Sequence, residues 1–272
     1  MVIRYGIGLV LMVSLCVHAA PEGDATAKKK GAIDGPGVLL TFDDAHVKEW
    51  VAAIPLFAKY NAHATFFVTQ FDKLNEGQIE GLRTLKRAGH AIGCHGLRHR
   101  KAAEYAREHG TSGYLADEIE PALDLMQKAG FTPTSFAYPM SNRDDETDAA
   151  LLKHFRHLRG GAFCAKGQRL AELDGIFTPL SELPNRGCLL GRSIDKAGEE
   201  GREHIIDEVK EALQRAKQRD ECVVFYSHNI GTQPKNHIRP EALESILAYG
   251  KELGLHFYTY DDLPGAIGRS AR

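Results

Sequence analysis

Val38-Leu-Leu-Thr-Phe-Asp-Asp44 reads as a short apolar strand that runs out onto two adjacent carboxylates. An uninterrupted apolar run of this length fits a strand covered on both faces, as in a parallel sheet. The layout recurs along the chain. Ala64-Thr-Phe-Phe-Val68, His90-Ala-Ile-Gly-Cys94, Thr134-Ser-Phe-Ala-Tyr138 and Cys222-Val-Val-Phe-Tyr-Ser227 are further strands, with weaker ones near 158–163, 175–179 and 255–259. Between them the apolar spacing predicts helices over 47–60, 76–88, 114–129, 145–155, 203–218 and 240–253, three of them stopped by Gly89, Gly130 and Gly254. Alternating strands and helices mean βα units and an α/β fold with a parallel sheet. About seven such units close, or nearly close, a barrel in a single domain. An open doubly wound sheet is the competing architecture, and alternation alone does not separate the two.

Parallel α/β sheets build their sites at the C-terminal ends of strands. Asp43 and Asp44 follow the first strand, His95 follows the third with His99 four residues on, Tyr138-Pro139 ends the fourth, and His228-Asn229 follows Ser227. Three separate strands thus bring carboxylates and imidazoles to one rim. Two histidines and a carboxylate can hold zinc or another divalent transition ion, with positions left for water and substrate. Such an ion lowers the pKa of bound water and polarises a carbonyl; a second carboxylate takes a proton, and a histidine opposite donates one. Hydrolysis of an amide or ester needs that inventory. Each piece alone has a plainer reading. An Asp-Asp pair suits a turn or helix cap, His95 and His99 fit one face of a helix, and His228 fits a satisfied core position. His46, His63, His109 and His237 are read as structural or solvent-facing.

These residues carry a resemblance. Thr41-Phe-Asp-Asp44 resembles the first motif of the polysaccharide deacetylase family, also called carbohydrate esterase family 4 or the NodB homology domain. Gly89-His-Ala-Ile-Gly-Cys-His-Gly-Leu-Arg-His99 is similar to its metal-binding stretch, and Phe225-Tyr-Ser-His228 to its last motif. The resemblance implies a deformed (β/α) barrel and a divalent ion, usually zinc, held by Asp44, His95 and His99. It implies Asp43 as general base, His228 as general acid, and acetyl groups on a carbohydrate as the substrate: an N-acetylglucosamine-containing glycan or an O-acetylated polysaccharide. Tyr138, Pro139, Met140 and Tyr226 then line the substrate site, with the Met140 main-chain N–H helping to hold the oxyanion. Three departures stand out. Phe136-Ala-Tyr-Pro139 has Ala137 where the family usually has an arginine that orients the catalytic aspartate; Arg186 and Arg192 are the candidate replacements. The family's Asp-and-Trp motif is not identifiable, the only tryptophan being Trp50. Tyr226 replaces a leucine of the acetyl pocket.

The 272 residues are 43% apolar and 26% charged, an ordinary globular balance, and the net charge of −2 gives no global field toward nucleic acid. Residues 1–20 have the layout of a secretory signal peptide: Arg4, an apolar run, then Val17-His18-Ala19-Ala20. Residues 21–36 read as a linker and 37–272 as the catalytic domain, with no stretch in the body long enough for a stable membrane span. An exported, periplasmic or secreted protein follows; lipid attachment at Cys16 is the minor variant. Removing the leader leaves Cys94, Cys164, Cys188 and Cys222, which export would allow to pair or which pack as free thiols. Two other functions fit the pattern: a catalytically silent carbohydrate-binding protein that keeps the metal site, and an amidase for a small non-sugar amide.

Overall fold

A computed structural model describes residues 1–2, 33–233 and 235–265 of the chain. Residues 3–20 of the expected leader and most of the expected linker lie outside the described residues. In chain order the elements are β1 (Gly37–Asp44), α1 (Val47–Ala52), α2 (Ile54–Lys59), β2 (Thr65–Val68), α3 (Glu76–Arg87), β3 (Ala91–Cys94), α4 (Ala102–Tyr114), α5 (Glu120–Lys128), β4 (Ser135–Ala137), α6 (Asp145–Leu151), β5 (His157–Gly161), β6 (Phe177–Pro179), β7 (Cys188–Ser193), α7 (His204–Arg219), β8 (Glu221–Ser227), β9 (Asn229–Ile230), β10 (His237–Ile238), α8 (Pro240–Glu252) and β11 (His256–Tyr258).

One pairing decides between barrel and open sheet. Strands β1, β2, β3, β4, β5, β7 and β8 are parallel neighbours in that order, and β8 returns to β1 with Gly37 opposite Cys222 through to Phe42 opposite Ser227. The sheet is therefore a closed seven-stranded parallel barrel in one domain. It is deformed at two edges. The start of β1 pairs β11 on the edge that β2 occupies farther along, and β6 lies antiparallel on the start of β8, leaving the later part to β7.

Side chains alternate across a strand, so each barrel strand feeds two cores. Val38, Leu40 and Phe42 face the helices, where they join Trp50, Phe57, Phe66 and Leu213. Leu39 faces the barrel interior with Phe67, Ala137, Leu189 and Val224. Tyr258, Tyr260 and Leu263 belong to this inner cluster, and the Tyr260 N–H donates to Thr65 Oγ1 over 2.9 Å. Apolar packing thus fills the interior below the rim, and the polar groups gather where the strands end.

The sequence pattern misplaces several elements for local reasons. The single helix expected over 47–60 is two, because Pro55 lacks an N–H and restarts the helix in its first turn. A helix over Ala102–Tyr114 was not expected; it carries Gly110 at φ 74°, which breaks its backbone, and joins α5 through a π turn at Leu115–Ile119. Strand β7 was not expected either, and it is a barrel strand. Cys94, Cys164, Cys188 and Cys222 are all free thiols, so of the two readings for them the unpaired one holds. No helix among the described residues is long and apolar enough to cross a membrane.

Candidate active site

Asp43 and Asp44 occupy the end of β1, where strict alternation would send them to opposite faces. Asp44 instead has φ 83°, a left-handed turn that aspartate tolerates better than most residues. That turn lets both carboxylates serve one rim. Asp43 is buried, on the inward side with Leu39. Asp44 Oδ1 lies 3.9 Å from His95 Nε2 and 3.6 Å from His99 Nε2. These separations are too long for hydrogen bonds and suit ligands that share an ion. One ligand atom from each of Asp44, His95 and His99 falls within 4.8 Å of the others, a group able to hold a metal. The three side chains that the sequence reading put on one ion are together.

His95 is prepared for that role. It is buried at the end of β3, and its Nδ1 donates to the Ala137 carbonyl over 2.8 Å. The bond places the ring proton on Nδ1 and leaves Nε2 with a lone pair toward Asp44. Burial pushes its pKa down to about 4, against the pull of Asp43, so the imidazole is neutral at pH 7. His99 follows on a loop rather than a helix, with φ 61°. That loop is braced from below. Glu118, fully buried on the π turn, accepts the Arg98 N–H over 2.9 Å and stands 3.3 Å from Arg100 Nε. Thr69 Oγ1 donates to the Gly96 carbonyl over 2.9 Å. Gly96 has φ 75°, and a Cβ there would stand 2.8 Å from Glu118 Oε2, so the brace requires glycine.

Arg159 supplies the cation that the Phe136-Ala-Tyr-Pro139 stretch lacks. It projects inward from β5, is buried to 1% exposure, and its guanidinium donates to Asp43 Oδ2. Ala137 and Arg159 are register partners on adjacent strands, so the arginine has moved one strand sideways at the same level of the barrel. Burial alone would raise the Asp43 pKa; Arg159, with His95 and His228 nearby, outweighs it and holds the carboxyl below its usual value. Arg186 does not fill this place, since it is exposed and pairs with Glu182. Nor does Arg192, which lines a separate cavity beside α7. The other Asp43 oxygen, Oδ1, is buried with no hydrogen-bond partner in the protein.

His228 stands across the rim at the end of β8. Its Nδ1 meets Asp195 Oδ2 at 2.9 Å, and Asp195 is held in turn by Ser227 Oγ at 2.7 Å and Ser193 Oγ at 2.8 Å. Burial would lower the His228 pKa, but the Asp195 bond and the charges of Asp43 and Asp195 outweigh it and raise the pKa above the usual histidine value. Trp50 Nε1 donates to the His228 carbonyl over 2.9 Å, so this tryptophan supports the histidine from α1. His46 Nε2 lies 3.9 Å from Asp44 Oδ2, at the rim rather than away from it.

The four residues expected to line the substrate site are placed unequally. Tyr138 is fully buried and its hydroxyl donates to Asp148 over 2.7 Å, which turns it into the wall. Pro139 is also buried, whereas Met140 has φ 52° and is exposed at the rim. Tyr226 is half-buried, with the Arg159 guanidinium 4.5 Å from its ring centroid. Arg159, Asp195 and Glu118 were missed by the sequence reading. The signal for Arg159 was available, as an arginine within the 158–163 strand.

Residues 30–155 match the polysaccharide deacetylase family model. That span holds Asp43, Asp44, His95 and His99 and ends before Arg159, Asp195 and His228. No curated protein matches the chain. Among solved structures, the family 4 acetyl xylan esterase from Clostridium thermocellum, in complex with cobalt, is 18% identical over 85% of this chain and 99% of its own, with a TM-score of 0.51. The catalytic domain of a peptidoglycan N-acetylglucosamine deacetylase from Eubacterium rectale is 18% identical over 92% of this chain and 100% of its own, with a TM-score of 0.51. A mutant of BA3943, a CE4 family pseudoenzyme with restored enzymatic activity, is 15% identical over 86% of this chain and 69% of its own, with a TM-score of 0.53. At such identities the likeness shows a shared fold.

Proposed function

From the chain's membership of the polysaccharide deacetylase family, we propose that this protein is a working hydrolase that removes acetyl groups from a carbohydrate. The observation that carries this reading is the division of labour around Asp43. One of its oxygens is tied to Arg159, and the other is buried and unpartnered beside the Asp44–His95–His99 group. A carboxylate held ionised with one free, desolvated oxygen is what a general base requires.

The donor set of one carboxylate and two imidazoles fits a divalent ion, zinc first among them. When bound, such an ion supplies Lewis acidity, acidifying a water and polarising an acyl carbonyl. The protein's own groups do the rest. Asp43 Oδ1 accepts the proton of the attacking water. His228 Nε2 gives a proton to the departing nitrogen or oxygen of the sugar as the bond to the acetyl carbon breaks, so that acetate and a free amine or hydroxyl leave. Asp195 holds His228 Nδ1 and favours the protonated form of the ring. The Met140 main-chain N–H, as the family resemblance implies, helps to hold the developing oxyanion; a backbone donor serves whatever the side chain. The reading of a catalytically silent binder rested on a missing arginine, and Arg159 removes that ground. The leader-like residues 1–20 support export as the setting.

The experiment is acetate release from a panel of acetylated glycans, with chelator and with zinc restored. Wild-type protein releases acetate and stops in chelator. Asp43→Asn still binds zinc but loses turnover by about 10²–10⁴-fold. Full turnover by Asp43→Asn, or none by wild type on any glycan, sinks the reading.

A further inference from the structure

A second cavity, of about 510 Å³, opens beside the candidate site between β7, the loop after β5 and the start of α7. Its walls are cationic. Lys166, Arg192 and Arg202 line it, against Glu208 and Asp195. Asp195 is already committed to His228, Ser227 and Ser193. Among the described residues, none of the three cations stands within ion-pair distance of a carboxylate, whereas nearby Arg169 pairs Glu211 and Arg215 pairs Asp174 and Glu221. A cleft with an excess of unpaired positive groups concentrates anions, and arginine takes carboxylates and phosphates in a forked bond. His204, the first residue of α7, adds a further donor to the lining.

The position of this cavity matters more than its charge. Asp195 forms part of its wall and also holds His228 at 2.9 Å. In acetyl hydrolysis the group that takes the proton from His228 is the sugar, while the acyl carbonyl lies toward Asp44, His95 and His99. The sugar stands on the Nε2 side of His228, and the cavity begins at Asp195 on the Nδ1 side, so a neighbouring unit of the glycan has to run past the His228 ring to meet the cationic wall. Resting on the deacetylase reading, we infer that this cavity is a glycan subsite for a carboxylate- or phosphate-bearing sugar next to the one deacetylated. The substrate class is an anionic acetylated polysaccharide rather than a neutral one.

The test compares kcat/KM on three sets of acetylated oligosaccharides of equal length: neutral N-acetylglucosamine oligomers, oligomers alternating with a uronic acid, and oligomers bearing a phosphodiester. The subsite predicts a preference of about tenfold or more for at least one anionic set. The preference resides mainly in KM and fades as salt rises from about 50 mM to about 500 mM, because screening weakens it. Carboxylate and phosphate arms show which anion is read. In an R192Q/R202Q double variant with unchanged melting temperature, the anionic-to-neutral ratio falls toward one. Equal kcat/KM on neutral and anionic sets overturns the subsite and leaves the deacetylase reading standing. If no set releases acetate, that reading fails instead, and calorimetry on the zinc-loaded chain decides the subsite. Uronate oligomers that bind wild type and bind R192Q/R202Q about tenfold more weakly support it; equal binding, or none to wild type, overturns it.

Discussion

Replacing Arg159 by methionine isolates the contact that holds Asp43, the proposed general base. Arg159 and Asp43 are buried to 1% and 3% exposure, so neither is screened by water. Removing one partner of such a pair leaves a bare buried charge, at a cost of about 3–5 kcal/mol at pH 7. The sign of the pH dependence follows. In wild type the Asp43 pKa is depressed, so its pairing stabilises the fold above the ordinary aspartate value and that contribution is lost as pH falls. In Arg159→Met the opposition of burial is left unbalanced, Asp43 takes up a proton more readily, and the deficit shrinks as pH falls. Urea melts of both proteins at pH 7 and pH 4.5, chosen as roughly neutral and mildly acidic and run with chelator present, measure this. On the zinc-loaded protein, kcat/KM falls by about 10²-fold through loss of the oriented base. The register offers a rescue. Ala137 pairs with Arg159, and neighbouring strands lie about 4.8 Å apart, within the reach of an arginine side chain. The double variant Ala137→Arg, Arg159→Ala therefore regains part of both losses. A stability deficit for Arg159→Met that is the same at both pH values, or unchanged turnover, refutes the assignment.

Asp195→Asn leaves the His228 ring without the carboxylate that raises its pKa, so the alkaline limb of the kcat profile moves to lower pH and kcat falls about 10–100-fold, read from pH–rate curves. The same change removes stability that wild type has below the ordinary histidine value and loses as pH rises through the raised one, a trend that melts across pH 5–8, roughly spanning that range, detect. Glu118→Gln replaces one acceptor of the Arg98 N–H with a donor and loosens the His99 loop; zinc affinity in a chelator competition falls about 10–100-fold while the far-ultraviolet spectrum is kept.

Strand ends made much of this site legible. Asp43, Asp44, His95 and His228 each follow an apolar strand, and parallel topology carries such positions to one rim without further information. Closure of the barrel was not legible, because it depends on β1 meeting β8 across nearly the whole chain. Strand β7, Cys188-Leu-Leu-Gly-Arg-Ser193, mixes glycine and arginine into a short run and shows neither an alternating nor a continuous apolar pattern. Missing it hid Asp195, which sits just beyond its end. Arg159 escaped for a different reason. The candidates were Arg186 and Arg192, farther along the chain, whereas register on the strand adjacent to Ala137 delivers the same charge to the same carboxylate. Glu118 reaches the His99 loop through a π turn, a local geometry that a 3.6-residue period does not reveal.

The proposed chemistry requires Asp44, His95 and His99 to hold one ion, and a calorimetric titration of the metal-stripped chain with zinc measures this. The predicted result is one equivalent bound per chain, with His99→Ala weakening binding by more than about 100-fold, since it removes one of three protein ligands. Wild-type protein that takes up no zinc, or a His99→Ala variant that binds as tightly as wild type, contradicts it.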